Sequence, residues 1–341
     1  MTKSSKRVFC IGETVLDIIF RDDLPIGAKP GGSMLNSAVS LGRAGIPVHL
    51  ISDYGNDHAG ELIHKFLLQN AVSTAYVSRY SSGQTALALA FLDPQQNADY
   101  SFYKIFPEER LTISFPSAQA GDIVLFGSFY ALTESLRPNI MEFIQNAKSN
   151  GAFIIYDPNF RRSHLSELEI YRPWILENIG LSNLVRGSDE DFQNIFDASD
   201  ARQAYHCVSG AGCSLLVYTR SSKSVEVVTN KFSQSYIVPR IQVVSTIGAG
   251  DTFNAGMIYA MLKNENPVDE YQSSDWDNLI DHGIRFSADV CQSLDNYISV
   301  ESGLGLKADV TYHNMPHPPA PSPQVEGETP LLEERIREKQ P

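Results

Sequence analysis

Short apolar runs recur along the chain, with segments of helical spacing between them. The runs at 8–11, 48–52, 123–126, 153–156 and 215–218 read as strands. Between residues 35 and 44, Leu35, Ala38, Val39 and Gly42 fall on one helical face. Ile140, Phe143, Ile144 and Ala147 do the same in a helix that stops at Asn150-Gly151. This alternation predicts an α/β fold: a mostly parallel sheet covered by helices on both faces, in three layers. One region breaks the rhythm. Residues 85–92 and 100–103 read as two strands joined by 93–97. Such a hairpin either forms a small sheet that covers a site as a lid or sits at an edge with no role. From residue 313 onward the pattern ends. His317-Pro318-Pro319-Ala320-Pro321-Ser322-Pro323 excludes a helix or a central strand, so a Pro-rich, disordered tail is expected over 313–341.

Composition narrows the class. The chain has 341 residues, enough for one large α/β domain or two smaller ones, and no internal repeat is visible. A net charge of -13 argues against nucleic acid or an anionic membrane as the main partner. It does not exclude a phosphate ligand, which needs only local donors. Cys10, Cys207, Cys213 and Cys291 are scattered without metal-ligand spacing, which fits reduced thiols in the cytoplasm. The basic N-terminus is followed by an apolar run broken at Gly12-Glu13, so no signal peptide is expected, and no segment has the length of a membrane span.

The chemistry concentrates in Ser245-Thr246-Ile247-Gly248-Ala249-Gly250-Asp251-Thr252. This Gly-rich turn opens an amphipathic helix, where free N–H groups and the positive dipole end favour a phosphate. Asp251 falls on the first turn, placed to take a proton from an attacking hydroxyl. The turn is not a dinucleotide fingerprint, because Phe253 stands at the third glycine position, and the chain has no Gly-Lys-Ser/Thr. A second glycine signal, Gly31-Gly32, precedes the 35–44 helix and puts Asn36 on its first turn; by itself it also suits a plain tight turn.

Taken together, these stretches resemble the ribokinase/pfkB family of sugar kinases. Gly31-Gly32-x-x-x-Asn36-x-Ala38, ending in Leu41-Gly42-Arg43-Ala44-Gly45, is similar to the family's N-terminal signature. Thr246-x-Gly248-Ala249-Gly250-Asp251-Thr252-Phe253-x-Ala255-Gly256 is similar to its C-terminal one, and the two stand in the family's order. Gly12-Glu13-x-x-x-Asp17, Gly127-Ser128 and Asp157-Pro158-Asn159-Phe160-Arg161 resemble segments of the fructokinase and ketodeoxygluconate kinase branches. Ser188-Asp189-Glu190-Asp191 resembles the segment whose Glu organises Mg²⁺ through water. The likeness runs from about Val8 to Leu306.

Three positions depart from the family pattern. Ser245 stands where an Asp usually supports a monovalent cation, so that ion is left open. Gly187 replaces an Asn three residues before Glu190. The nucleotide segment is matched only by Ser209-Gly210-Ala211-Gly212, with displaced glycines.

The resemblance implies a ribokinase-like domain over 1–312, with a β lid from about 14–30 and 83–106. It implies Asp251 as general base. Gly248, Ala249 and Gly250 become the anion hole, with the N–H groups of Ala249, Gly250 and Asp251 as donors. Asp17, Gly31, Gly32, Asn36, Phe102 and Arg161 are the expected sugar contacts. Ser209, Gly210, Gly212 and Asn254 are the expected ATP contacts, and Glu190 holds Mg²⁺ through water. The bland alternatives are a local turn cap for Asp17, a surface position beside Arg162 for Arg161, and a helix-start acid for Glu190. The reading is ATP-dependent phosphorylation of a primary hydroxyl on fructose or a related keto-sugar, by a cytoplasmic homodimer. The alternatives are a nucleoside or sugar-acid kinase and a non-catalytic binding regulator.

Overall fold

The computed structural model describes residues 6–93 and 98–313. The expected tail beyond residue 313 and the hairpin link at 94–97 lie outside the described residues. The chain opens on β1 (Val8–Ile11) and leaves for two strands of a second sheet, β2 (Val15–Arg21) and β3 (Leu24–Gly31). It returns through α1 (Ser33–Arg43) to β4 (Val48–Gly55), then α2 (His58–Gln69) and β5 (Val72–Tyr80). β6 (Gln84–Leu92) and β7 (Ala98–Ile105) complete the second sheet. Strands and helices then alternate: β8 (Ile123–Gly127), α3 (Arg137–Ser149), β9 (Phe153–Asp157), α4 (Leu168–Leu181), β10 (Leu184–Ser188), α5 (Asp189–Phe196), α6 (Ala201–Gly210) and β11 (Leu215–Arg220). A hairpin of β12 (Ser224–Thr229) and β13 (Ser233–Ile237) precedes α7 (Ala249–Lys263), α8 (Ser273–Cys291) and α9 (Val300–His313).

The main sheet has nine strands in the order β13-β12-β11-β10-β9-β8-β1-β4-β5. All pairs from β11 to β5 are parallel, and only the β11-β12-β13 edge is antiparallel. The unbroken apolar character of β1 follows from its central place. Val8 and Cys10 enter the core beneath α1, α7 and α8, while Phe9 and Ile11 enter the core beneath α3, α4 and α5. Residues one apart along the strand therefore serve opposite faces, and both must be apolar. The same split holds for Leu125 and Phe126 on β8 and for Ile155 and Tyr156 on β9.

From β1 the chain first builds outward through β4 and β5, then crosses to the other side and builds through β8, β9, β10 and β11. The order reverses between β1 and β8. Crevices at the carboxyl ends of strands at such a reversal are where open α/β sheets bind ligands. The second sheet stands over that end. Its order is β3-β2-β6-β7, with β2 and β6 parallel and both outer pairs antiparallel. One cross-strand row reads Lys29, Asp17, Ala88, Phe102, so these four side chains share one face. This sheet is the small β lid.

Candidate active site

Two loops and two helix N-termini converge at the carboxyl edge of the sheet. α7 begins at Gly248, whose φ of 80° is open to glycine and strained for other residues. Thr252 N–H and its hydroxyl both bond the Gly248 carbonyl at 2.9 Å, which closes the first turn. The Ala249 N–H donates to the Thr246 carbonyl at 3.2 Å. The N–H groups of Gly250 and Asp251 follow it on the first turn, where a helix offers no internal acceptor.

Asp251 is half-buried on that turn. Asn36 Nδ2 on α1 donates to its Oδ2 at 2.8 Å, and Ser37 Oγ donates to its backbone carbonyl at 2.8 Å. Burial pushes the Asp251 carboxyl up to about 6, raised further by Asp157 and restrained by Asn36, Arg161 and Arg186. A carboxylate near neutrality fits a group that accepts a proton and later returns it. Asn36 itself is buried, and its Oδ1 has no partner among the described residues.

The lid supplies the opposite wall. Asp17 is buried on β2, and Gly31 is what makes room for it: a Cβ at Gly31 would stand 2.2 Å from Asp17 Oδ2. Gly32, at φ 123°, brings the chain so close that a Cβ would lie 2.1 Å from the Glu13 carbonyl. Burial pushes Asp17 up to about 7, against the pull of Lys29 and of a hydrogen bond from Asn296. Lys29 Nζ donates to the Leu294 carbonyl. Tyr100 senses the charges of Asp17, Arg161 and Asp251, so it faces the site from β7. Phe102, more than half exposed, stacks on Tyr100 with ring centroids 5.8 Å apart.

Arg161 follows β9, is exposed, and makes no ion pair among the described residues. Its charge reaches both Asp251 and Tyr100. The Asn159 turn before it has φ 40° and is pinned by Asn159 N–H donating to Asp157 Oδ1 at 3.0 Å. Glu190 is exposed on the first turn of α5, at the end of β10 and on the same edge. The residue that caps this helix from within is Asp191, through Ser188, while its Oδ1 accepts the Phe160 N–H at 2.6 Å. Among the described residues no group of three His, Cys, Asp or Glu is arranged to hold a metal ion.

The expected ATP contacts lie in two separate places. Ser209, Gly210 and Gly212 lie at the end of α6, before β11 begins, and hence at the opposite edge of the sheet from Asp251. Their glycines serve the end of the helix. Gly212 has φ 106°, and the Cys213 N–H turns back to the Val208 carbonyl at 3.2 Å. The chain that leaves β11 on the site's own edge is the 220–224 turn, with Ser221 at φ 46°. Asn254, expected to contact ATP, is fully buried under the turn and donates to Asp157 Oδ2 at 2.6 Å.

Three residues at the site carried no sequence signal. Lys29 and Asn296 flank Asp17, and Asn296 also backs onto the turn: a Cβ at Gly248 would lie 2.4 Å from its carbonyl oxygen. Arg186 on β10 packs on Gly250 from the other side of α7. Only their placement by the fold reveals them, because each comes from a segment without a motif. Ser245, at the departed cation position, is buried and its Oγ accepts the Ile247 N–H at 3.2 Å.

Comparison with known proteins agrees with this fold. The fructokinase of Vibrio alginolyticus is 23% identical over 274 residues, covering 80% of this chain and 86% of its own. A fructokinase double mutant from Vibrio cholerae O395, solved with fructose, ADP and potassium ion, superposes with a TM-score of 0.78 at 19% identity, over 90% of this chain and 99% of that one. The aminoimidazole riboside kinase of Salmonella enterica, solved with aminoimidazole riboside and an ATP analog, gives 0.77 at 18% identity, over 89% and 99%. The pfkB family carbohydrate kinase model matches residues 5–281. The chain belongs to the pfkB family of carbohydrate kinases and is a phosphotransferase.

Proposed function

We propose that this kinase transfers the γ-phosphoryl group of ATP to a primary hydroxyl of fructose or a related keto-sugar, with Asp251 as general base. The observation that carries the reading is the 2.8 Å bond from Asn36 to Asp251. It joins the two glycine signals of the sequence into one site, between the lid and the phosphate-binding turn.

The sugar lies on the lid side. Asp17 accepts hydroxyl protons in hydrogen bonds, Asn36 presents its free Oδ1, and Gly31 and Gly32 let the backbone come close. Phe102 and Arg161 line the mouth. The nucleotide lies on the β10–β11 side, with its phosphates at the Gly248–Asp251 turn. Asp251 takes the hydroxyl proton as the sugar oxygen bonds to the γ-phosphorus. The bond from that phosphorus to the β–γ bridging oxygen breaks, and ADP leaves with the electron pair. The N–H groups at the start of α7 stabilise the negative charge in transit. Mg²⁺, when bound, neutralises phosphate charge, and Glu190 orients its waters. Closure of the lid excludes water, which limits ATP hydrolysis.

Support for fructose is the likeness to fructokinases together with the Asp17 and Asp157–Arg161 segments. A nucleoside is the second reading, favoured by the likeness to a riboside kinase and by the Tyr100–Phe102 stack, which suits a planar base. The edge strands β3 and β7 expose Leu24, Ile26, Tyr103 and Ile105, which supports a homodimer paired through the lids. The cytoplasmic reading is supported by the free thiols of Cys10, Cys207, Cys213 and Cys291. An ADP-release assay across sugars, sugar acids and nucleosides tests the substrate, and light scattering tests the dimer. Turnover confined to sugar acids would overturn the keto-sugar, and a monomer at working concentration would overturn the pairing.

A further inference from the structure

Arg186 is nine-tenths buried on β10 and belongs to no motif in the sequence. One terminal nitrogen donates to Asp157 Oδ2 at 3.1 Å and the other to Thr219 Oγ1 at 2.9 Å. The guanidinium carbon stands 5.5 Å from the centroid of the Phe253 ring. Gly250 rests directly on this group: a Cβ there would come 2.8 Å from Nη1 and 3.1 Å from Nη2. The guanidinium is thus clamped between the ends of β9 and β11 and the first turn of α7.

A buried guanidinium beside a carboxylate is often only a strut. Two observations point further here. Asp157 is shared, because the same Oδ2 also accepts Asn254 Nδ2 at 2.6 Å. Arg186 Nε is buried with no partner among the described residues. The cation is therefore incompletely matched, and it lies against the glycine whose N–H belongs to the phosphate-binding turn. Positive charge held there in low dielectric adds to the helix N-terminus where negative charge develops. Lysine cannot hold two acceptors in one plane, so it would keep the charge and lose the clamp.

We infer that Arg186 is a positioning residue for phosphoryl transfer: it fixes the Gly250 turn against Asp157 and strengthens its field, while leaving the sugar contacts alone. This rests on the Asp251 turn being the transfer site. The test compares wild type with Arg186→Met, Arg186→Lys and Thr219→Val. Steady-state kinetics are run with Mg-ATP and the acceptor found active, and each variant's Tm is measured. Arg186→Met is expected to lose about a hundredfold in kcat, the scale of one lost transition-state donor. The sugar KM should stay within about threefold, and Arg186→Lys should recover part of the loss, since it retains the charge. A folded Arg186→Met with kcat near wild type overturns the inference. So does a loss shared equally by kcat and sugar affinity with no rescue by lysine. If Arg186→Met does not fold, wild-type kcat in both Thr219→Val and Arg186→Lys overturns it instead. Binding of ADP with Mg²⁺ and aluminium fluoride, a mimic of the transferring group, is measured alongside by calorimetry. It should weaken in Arg186→Met and reads the role even if no acceptor tried is turned over, an outcome that would count against the substrate reading alone.

Discussion

Asn36 on α1 donates to Asp251 on α7 at 2.8 Å, across 215 residues of sequence. Neither residue has a reason to face the other in an isolated helix. The sheet reversal brings both helix N-termini to one crevice, and the bond sets the carboxylate's direction. That orientation is what a base needs before its pKa matters.

Replacing Asp251 with Asn removes the basic carboxylate but keeps the size and an amide oxygen that can still accept from Asn36 Nδ2. The kcat should fall by about 10²–10⁴-fold, the range for a positioned base. The Tm should hold or rise, because burial disfavours the charged form of this acid. Circular dichroism and a melting curve separate loss of chemistry from loss of fold.

The pH dependence follows from the same carboxyl, held up to about 6. If Asp251 is the base, the active form is the carboxylate, and kcat should fall as pH drops through that value. Asn36 donates to the charged form and holds the pKa down. Asn36→Ala should therefore move the fall to higher pH, as read from kcat profiles of both proteins. A raised carboxyl pKa favours the fold in its protonated form. The stability it contributes is full at low pH and is lost as pH rises from 3.8 toward 6.

Gly31→Ala tests the sugar side without replacing any polar side chain. Its Cβ would stand 2.2 Å from Asp17 Oδ2, so Asp17 must leave its position. Losing one bond to a charged acceptor should raise the sugar KM by about ten- to a hundredfold. The KM for ATP should change little, and initial rates against each substrate show whether the two separate.

Away from the chemistry, Asp53 at the end of β4 is fully buried. It accepts both Arg110 Nε at 2.7 Å and Nη2 at 2.8 Å, with Tyr130 Oη at 2.9 Å. Arg110 lies just after β7, so this pair anchors the strand's return from the lid. Arg110→Ala leaves the carboxylate without its cation and should cost about 3–5 kcal/mol, seen in denaturant unfolding.

The central strands were legible because β1, β8 and β9 are buried on both faces and so read as unbroken apolar runs. β10 was not, since Arg186, Gly187 and Ser188 occupy its site end, where packing against Gly250 and capping of α5 decide residue type. β5 was missed because it alternates at an edge, as Val72-Ser73-Thr74-Ala75-Tyr76 shows. The glycine turns and the lid strands could be read because each is local in sequence. Asn296 and Lys29 could not, because their roles exist only where a distant loop meets the lid. The glycines at 210 and 212 were ambiguous for the converse reason: a glycine turn beside a helix serves a helix end as readily as a phosphate.

The most direct measurement is ADP release by wild type and Asp251→Asn, side by side, with Mg-ATP and a panel of sugars, sugar acids and nucleosides. Asp251 as base at a keto-sugar site predicts turnover with fructose or a close relative, and a loss of about 10²–10⁴-fold in the variant. Near-normal turnover by the folded variant would contradict the assignment of Asp251, and turnover only of compounds other than keto-sugars would contradict the substrate.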